Sequence, residues 1–242
     1  MNNSPHASPS FQEIENNGEP TRPQEFPAPV TDKAVRVRAF VVNLDLGTRD
    51  VIEVIHRQNF NVRSRQRRSN FFDNFNSHFV AYMPVRKLQD AIYGAVWAMR
   101  VLQRHYGEAA DEAAITTGFQ PGSAEAPVVW ETTHHYVAIK VMNWAKIHSL
   151  RGSILEDPIK EIKAMQYIGN SSPHVLGLIE VLEDSNCLYA IMPYCRGGDL
   201  FGVVVDYADE NDGNSGMPEP VARYWFRQIL KVRVITQRLM RR

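Results

Sequence analysis

The sequence of 242 residues has few of the features that mark several common protein classes. Its two cysteines, Cys187 and Cys195, do not form a C-x-x-C motif, which excludes a disulfide-stabilised secreted scaffold. Two free thiols favour a reducing interior, so we expect an intracellular and specifically cytoplasmic protein. No apolar run approaches the ~18 residues that would span a bilayer, and the first twenty residues have no apolar signal core. We therefore expect no membrane partner.

Net charge is also absent, because 27 basic side chains balance 27 acidic ones. A chain with a formal charge of +0 has no overall electrostatic attraction for nucleic acid, so we do not expect nucleic acid as the main partner. What the chain does have is a hydrophobic fraction of 44%, which is enough for one core of ordinary size.

The composition changes along the chain and divides it into three parts. Residues 1–34 are rich in Asn, Ser, Pro and Glu, which predicts a disordered tail. Residues 35–84 form an extension of unassigned role, with a strand predicted from Val35 and a short helix predicted over 48–60. Four arginines between Arg63 and Arg68 precede several phenylalanines. This segment could be a solvated basic loop, a phosphorylation target at Ser69 or a nucleic-acid site.

Residues 85–242 carry a clearer order of elements. The pattern predicts two strands around a turn over 85–102, an insertion or disordered loop over 103–135, and a buried strand over 136–142. A helix follows within 156–169, with Asp157 as its cap, Pro158 in its first turn and Gly169 just past its end. Two strands over 175–183 and 187–192, a short helix over 199–207 and a long helix from Pro218 complete the order.

Lys140 is the most informative side chain, because it interrupts the apolar strand VAIKVM. A buried ammonium group needs a partner, and Glu161 on the following helix shares a face with Met165 and Ile168. If the two side chains meet, each offsets the desolvation of the other, and the lysine is held ready for an anionic ligand such as a phosphate. A plain surface ion pair is the alternative.

Five segments in order resemble the amino-terminal lobe of eukaryotic protein kinases: YGAV, VAIK, KEIKAM, LYAIMPYCRGGDLF and ARYWFRQIL. The resemblance implies an α+β fold, with an antiparallel sheet of about five strands and one prominent helix, followed by the first helices of a larger lobe. It implies a serine/threonine kinase activity, the transfer of the γ-phosphate of ATP to a protein, with magnesium as the family's metal. It also assigns Lys140 and Glu161 to the family's catalytic lysine and glutamate.

The same resemblance implies an ATP site built from several further residues. Gly94 and Val96 match the end of the glycine-rich loop, Ala138 matches the alanine over the adenine, and Met192 matches the gatekeeper. Pro193, Tyr194 and Cys195 then form the hinge, where a carbonyl at 193 and an N–H at 195 suit the adenine edge. Asp199 matches the acidic residue that binds the ribose.

Two departures from the family pattern weaken the expected activity. Gln89 and Ala91 stand where the family has glycines, which predicts a weaker grip on phosphate, although Tyr93 could still cover the nucleotide. The motifs H-R-D-x-x-x-x-N and D-F-G, which supply the base and the metal ligands, are absent from the 242 residues. We therefore expect weak ATP binding, no metal site and no catalysis.

After Leu230 the resemblance stops, and residues 231–242 form a divergent basic end. The final helix has an apolar stripe at spacings of three and four: Val221, Trp225, Ile229, Val232, Ile235 and Leu239. This pattern predicts an exposed face on the 218–240 helix that could bind a protein substrate or a regulatory partner. The sequence is compatible with two interpretations: a truncated gene product, and a kinase-derived interaction module without catalysis.

Overall fold

The computed structural model describes residues 28–42, 47–55, 80–105, 107–118, 120–121, 128–150, 152–169, 172–209 and 216–239. The strands are β1 (Asp32–Val42), β2 (Gly47–Ile55), β3 (Val80–Ala91), β4 (Gly94–Arg104), β5 (Val129–Asn143), β6 (Glu180–Glu183) and β7 (Cys187–Pro193). The helices are α1 (Glu108–Thr116), α2 (Trp144–Leu150), α3 (Pro158–Ile168), α4 (Leu200–Asp209) and α5 (Glu219–Leu239). The expected α+β class is confirmed.

The strands close into a barrel in the order β1, β2, β3, β4, β5, β7, β6, with β6 returning to β1. Neighbouring strands are antiparallel except that β1 runs parallel to β6 and to the start of β5. Strand β5 is long enough to have two partners on one edge: Val129–Glu131 pair with β1, whereas Val137–Asn143 pair with β7. The sheet is thus larger than the five strands expected, because β1 and β2 of the extension belong to it.

The largest buried cluster fills the barrel, with Tyr82, Val101, Ile139, Tyr189 and Ile191 fully buried. A second cluster joins α3 to the outside of the sheet, where Ile162 packs with Met142 of β5 and Leu188 of β7. Ile162 is 1% exposed, so it fixes the distance of α3 from the sheet, and with it the position of Glu161 one residue earlier.

Two predictions for the first half of the chain are wrong. The short helix predicted over 48–60 is strand β2 as far as Ile55, because its β-branched residues Val51, Ile52 and Val54 suit a pleated surface and β1 lies ready to pair with them. For the 103–135 segment the disordered loop is wrong, since the segment contains α1 and the beginning of β5, whereas the insertion stays a prediction. Strand β1 begins at Asp32, inside the predicted tail.

The strand predicted over 175–183 is also too long, since β6 begins only at Glu180. A Cβ atom on Gly169 would lie 2.3 Å from the Cα of Gly177, so the two glycines are in close contact and hold residues 173–179 against the end of α3. Gly169 ends the helix as predicted, but with φ −58°, so close packing rather than a left-handed conformation requires glycine there.

Several predictions fall outside the described residues. These are the rest of the tail (1–27), the arginine and phenylalanine segment (56–79) and the last three residues. The basic loop, the phosphorylation target and the nucleic-acid site therefore stay predictions.

Candidate functional site

The structure brings Lys140 and Glu161 into direct contact. The Nζ atom of Lys140 donates to Oε1 of Glu161 at 2.9 Å and to Oε2 at 2.7 Å. Helix α3 is positioned for this contact by its cap, since Oδ1 of Asp157 accepts from the N–H groups of Ile159 (3.0 Å) and Lys160 (3.3 Å). Glu161 lies in the first turn of α3, where the helix dipole favours a negative charge.

The pair lies outside the barrel core, on the face of the sheet that α3 packs against. We call the region between this face and the segment after Pro193 the cleft. The side chain of Lys140 is 20% exposed and that of Glu161 is 48% exposed. Lys140 is thus mostly but not completely buried, and the apolar contacts of α3 are made by Ile162 and Ile168, which leaves Glu161 more exposed. A solvent-accessible cation held by a fixed carboxylate can still contact a ligand that enters the cleft.

Small side chains surround Lys140 on the same face of the sheet. Lys140 lies between Val96 of β4 and Ala190 of β7. Two residues earlier on β5, Ala138 lies between Ala98 and Met192. Because alternate residues of a strand share a face, these six side chains form one surface. Its alanines leave room for a flat ligand to lie close to the sheet.

Gly94 follows the turn between β3 and β4 and is required there by packing. It pairs with Met142, and a Cβ atom at this position would lie 2.0 Å from the carbonyl oxygen of Val141. The other two positions of the loop, Gln89 and Ala91, pair with Val96 and Gly94 as ordinary strand residues. The hairpin is therefore continuous β-structure up to its two-residue turn.

The chain leaves the sheet after Pro193, which is the last residue of β7 to pair with β5. The next residue, Tyr194, is tied to β3, since a terminal nitrogen of Arg86 donates to its hydroxyl at 2.7 Å. Cys195 is exposed, and its carbonyl accepts from the N–H of Gly198 at 3.3 Å. The segment from 193 to 195 thus borders the same face as Lys140.

Asp199 lies just before α4 and already has a structural role. Its Oδ1 accepts from the N–H of Gly202 at 2.8 Å, which caps the helix. Asp199 is otherwise exposed.

Comparison with known proteins gives relatives for part of the chain. It is 33% identical over 98 residues to the SNF1-related protein kinase catalytic subunit alpha KIN12 of Arabidopsis thaliana, which covers 40% of this chain and 18% of that protein. It is 36% identical over 106 residues to the probable serine/threonine-protein kinase KCC4 of Saccharomyces cerevisiae, covering 41% and 9%. The serine/threonine protein kinase OSK3 of Oryza sativa is 31% identical over 98 residues, covering 40% and 17%.

This chain carries a protein-kinase-like domain. The three relatives, from plants and yeast, all have names that identify them as protein kinases, and the fold has a sheet with one prominent helix packed on it. No family model matches the chain. The kinase-like chain spans less than a fifth of the length of these curated relatives.

One predicted role in the kinase-like domain is wrong. Tyr93 does not cover the cleft, because its side chain is 3% exposed and packs with Met142, Ile147 and Ile162. Its hydroxyl donates to the carbonyl of Glu156 at 2.6 Å, so the ring is held in the core between the sheet and the helices. The sequence shows that an aromatic residue lies in the turn, but it does not determine which way the ring points.

Sequence reasoning also missed a contact between the predicted tail and α3. Gln166 accepts from the N–H of Val30 at 3.1 Å and donates to its carbonyl at 2.9 Å. No local pattern in the sequence could pair these residues, which lie 136 positions apart. The contact places part of the predicted tail against the helix that carries Glu161.

Helix α5 of the kinase-like domain exposes large apolar side chains, including Tyr224, Phe226 and Ile229. Of the predicted stripe, Val221, Trp225 and Val232 are half-buried, and the side chains of Ile235 and Leu239 lie outside the described residues. The proposed partner surface stays a prediction. Among the described residues, no helix is both long and apolar enough to cross a membrane.

Proposed function

We propose that the cleft over β4, β5 and β7 binds ATP, with Lys140 as the phosphate ligand and Glu161 as the residue that positions it. The observation that carries the proposal is the contact of one ammonium group with both oxygens of Glu161. An ammonium group has three N–H donors, and Glu161 takes two. The third is left for a phosphate oxygen, in a direction fixed by the other two.

The adenine ring would lie against Ala138, whose neighbours across the sheet are Ala98 and Met192. Its edge would face the segment that leaves the sheet after Pro193. Proline at 193 removes no useful group, since a carbonyl is needed there, and Cys195 supplies a backbone N–H. Gly94 and Val96 would lie over the other side of the nucleotide, and the carboxylate of Asp199 would bind the ribose hydroxyls.

The grip on the phosphates is expected to be weak. Gln89 and Ala91 carry Cβ atoms that hinder the approach of backbone N–H groups to phosphate. Tyr93 is held in the core by Glu156 and cannot close over the ligand. Binding therefore depends mainly on Lys140, the adenine surface and the 193–195 segment.

Transfer of the γ-phosphate needs further groups around the bound nucleotide besides Lys140. In the kinase family, phosphoryl transfer to a serine or threonine of a protein needs a base and magnesium ligands. Within the described ranges, no group of three or more His, Cys, Asp or Glu side chains is placed to hold a metal ion. The 242 residues also lack H-R-D and D-F-G. We infer that this chain binds ATP without transferring its γ-phosphate.

Thermal unfolding of the full chain with and without ATP tests the proposal. At a concentration about 100 times Kd, a bound nucleotide stabilises a protein by about 2.7 kcal/mol, which raises Tm by several degrees. Lys140→Met should abolish this rise. Lys146→Met is the matched control, because Lys146 is exposed on α2 and outside the cleft, and it should keep the rise.

Two results would contradict the proposal. An ATP-dependent rise in Tm that persists in Lys140→Met would place the nucleotide elsewhere. Transfer of labelled phosphate to a protein substrate by the purified chain, lost in Lys140→Met, would refute the inference that it is inactive.

A further inference from the structure

The mouth of the barrel forms a partly open cavity of about 400 Å³ that the nucleotide proposal does not use. Its wall is built by β1 and β2 of the extension together with β3, β4 and β5; Ile52, Pro84, Trp97, Met99 and Val141 line it. The volume falls in the range of small-molecule sites, roughly 300–1,000 Å³. The extension, which had no assigned role, thus supplies part of a ligand-sized cavity.

The cavity and the cleft lie on opposite faces of the same strands. Trp97 and Val141 line the cavity, whereas Val96 and Lys140, their neighbours along β4 and β5, face the cleft. Successive side chains of a strand point to opposite faces. A ligand in the cavity would therefore not contact Lys140.

The walls of the cavity are mainly apolar, and one of them is aromatic. Ile52 and Met99 belong to the buried core of the barrel, and the half-buried Trp97 and Val141 pack against it. An indole ring beside aliphatic side chains favours a flat, apolar ligand body.

Two arginines and one acidic residue line the polar side of the cavity: Arg36, Arg38 and Asp50. Arg36 is held in place, since its Nε donates to the hydroxyl of Tyr189 at 2.6 Å and a terminal nitrogen donates to Sγ of Cys187 at 3.1 Å. Its nearest carboxylate contact is a single one at 3.5 Å, to Asp184. This guanidinium is thus oriented without being engaged in a bidentate carboxylate pair.

Arg38 is also only loosely paired. Its Nε lies 3.6 Å from Oδ1 of Asp50, which is beyond a good hydrogen bond, and both side chains are largely exposed. A guanidinium group binds a carboxylate with two parallel hydrogen bonds, so a ligand carboxylate could replace this contact. Because Asp50 and Asp184 stay close to the arginines, the site suits a single negative charge better than a doubly charged phosphate.

We propose that this cavity is a second binding site, for a small aromatic carboxylate whose ring lies beside Trp97 and whose carboxylate binds Arg38 and Arg36. The proposal does not depend on nucleotide binding. It assigns to the extension the role of forming this site.

Calorimetric titration of the full chain with 2-naphthoate, and with the uncharged 2-naphthamide, tests the proposal. Naphthoate should bind about tenfold or more tightly than the amide, because hydrogen bonds to a charged group are lost with the amide. Arg38→Gln should weaken the binding of naphthoate by about the same factor and leave the affinity for the amide unchanged. Trp97→Ala should weaken the binding of both naphthoate and naphthamide.

Arg49→Gln is the matched control, since Arg49 precedes Asp50 on β2 and points to the other face, and it should bind naphthoate like the unchanged chain. Arg38 is preferred to Arg36 for the test, because loss of Arg36 would disturb the buried Tyr189. No binding of either probe at millimolar concentration, or equal affinities for both, would overturn the proposal. Competition by ATP, or loss of binding in Lys140→Met, would overturn it by placing the probe in the cleft.

Discussion

Gln166 of α3 holds the backbone of Val30 with two hydrogen bonds, one to its N–H and one to its carbonyl. Val30 lies two residues before β1, so the contact joins the beginning of the barrel to the helix that carries Glu161. A second link lies nearby, where Lys33 of β1 donates to Glu183 of β6 at 2.8 Å. We therefore expect the residues around the start of β1 to support the position of the Lys140–Glu161 pair.

Replacement of Gln166 by Ala tests this link. Two partly exposed hydrogen bonds are lost, and we expect the free energy of unfolding to fall by about 1–2 kcal/mol. Hydrogen exchange at the amide of Val30 should become faster, and the ATP-dependent rise in Tm should decrease. Gln103→Ala, which removes a long surface contact with Glu131, is the control and should leave the rise unchanged. Unchanged exchange at Val30 would show that the contact is not formed in solution.

The variant Glu161→Gln tests whether Glu161 contributes to ATP binding more than to the stability of the fold. The ion pair is partly exposed, so its loss should change the free energy of unfolding by at most about 1 kcal/mol. The ATP-dependent rise in Tm should nevertheless fall strongly, because Lys140 is no longer held. Glu156→Gln, an exposed residue just before α3, is the matched control for charge. A large loss of stability with normal ATP binding would give Glu161 a purely structural role.

Gly94→Ala should destabilise the domain by about 1–3 kcal/mol, the usual range for overpacking, because the added Cβ would collide with the carbonyl of Val141. Gly197→Ala is the control, since nothing lies within 4 Å of the position of its Cβ, and it should change stability by less than about 0.5 kcal/mol. Urea denaturation of both variants measures the difference. Equal stabilities would mean that β4 and β5 can separate without cost.

The two thiols should react at very different rates. Cys195 is exposed, whereas Cys187 is buried, and this burial raises the pKa of the Cys187 thiol above its usual value. A thiol reagent should therefore label one cysteine rapidly and the other slowly. ATP should protect Cys195, since it lies in the segment proposed to bind adenine. Replacement of Cys195 by Ser should remove the rapid phase; a rapid phase that remains would contradict the burial of Cys187.

The lowered pKa of Asp184 should make the stability of the domain depend on pH. Burial alone would raise its pKa, but hydrogen bonds from the hydroxyl of Tyr189 and from the N–H groups of Asn186 and Cys187 hold the pKa below its usual value. A carboxyl with a lowered pKa in the folded state contributes stability above its unfolded pKa and loses it as the pH falls through the folded value.

The free energy of unfolding should therefore decrease as the pH falls below about 4, the pKa of an unfolded Asp. Asp184→Asn should reduce this decrease, measured by urea denaturation between pH 6 and 3. Asp90→Asn, an exposed residue near the β3–β4 turn, is the control. An unchanged slope in Asp184→Asn would assign the acid sensitivity to other carboxylates.

The sequence predicted the parts of the site that depend on local chemistry. Asp157 and Pro158 mark the start of α3, and the spacing between Lys140 and Glu161 could be read from a strand followed by a helix. It could not predict the partners of β1 and β2, because strand pairing depends on residues far away in the chain. The same limit applies to the Gln166–Val30 contact and to the direction of Tyr93.

The closure of the barrel by β1 and β6 also sets the order in which this domain can form during synthesis. The first strand has its parallel partners Val129–Glu131 and Leu182–Glu183 about 90 and 150 residues later. Until these emerge from the ribosome, β1 can pair only with β2; β3 and β4 can extend this sheet, but the other edge of β1 stays open. Such distant pairings slow folding, so the nascent chain must stay unaggregated until residue 183 has been made.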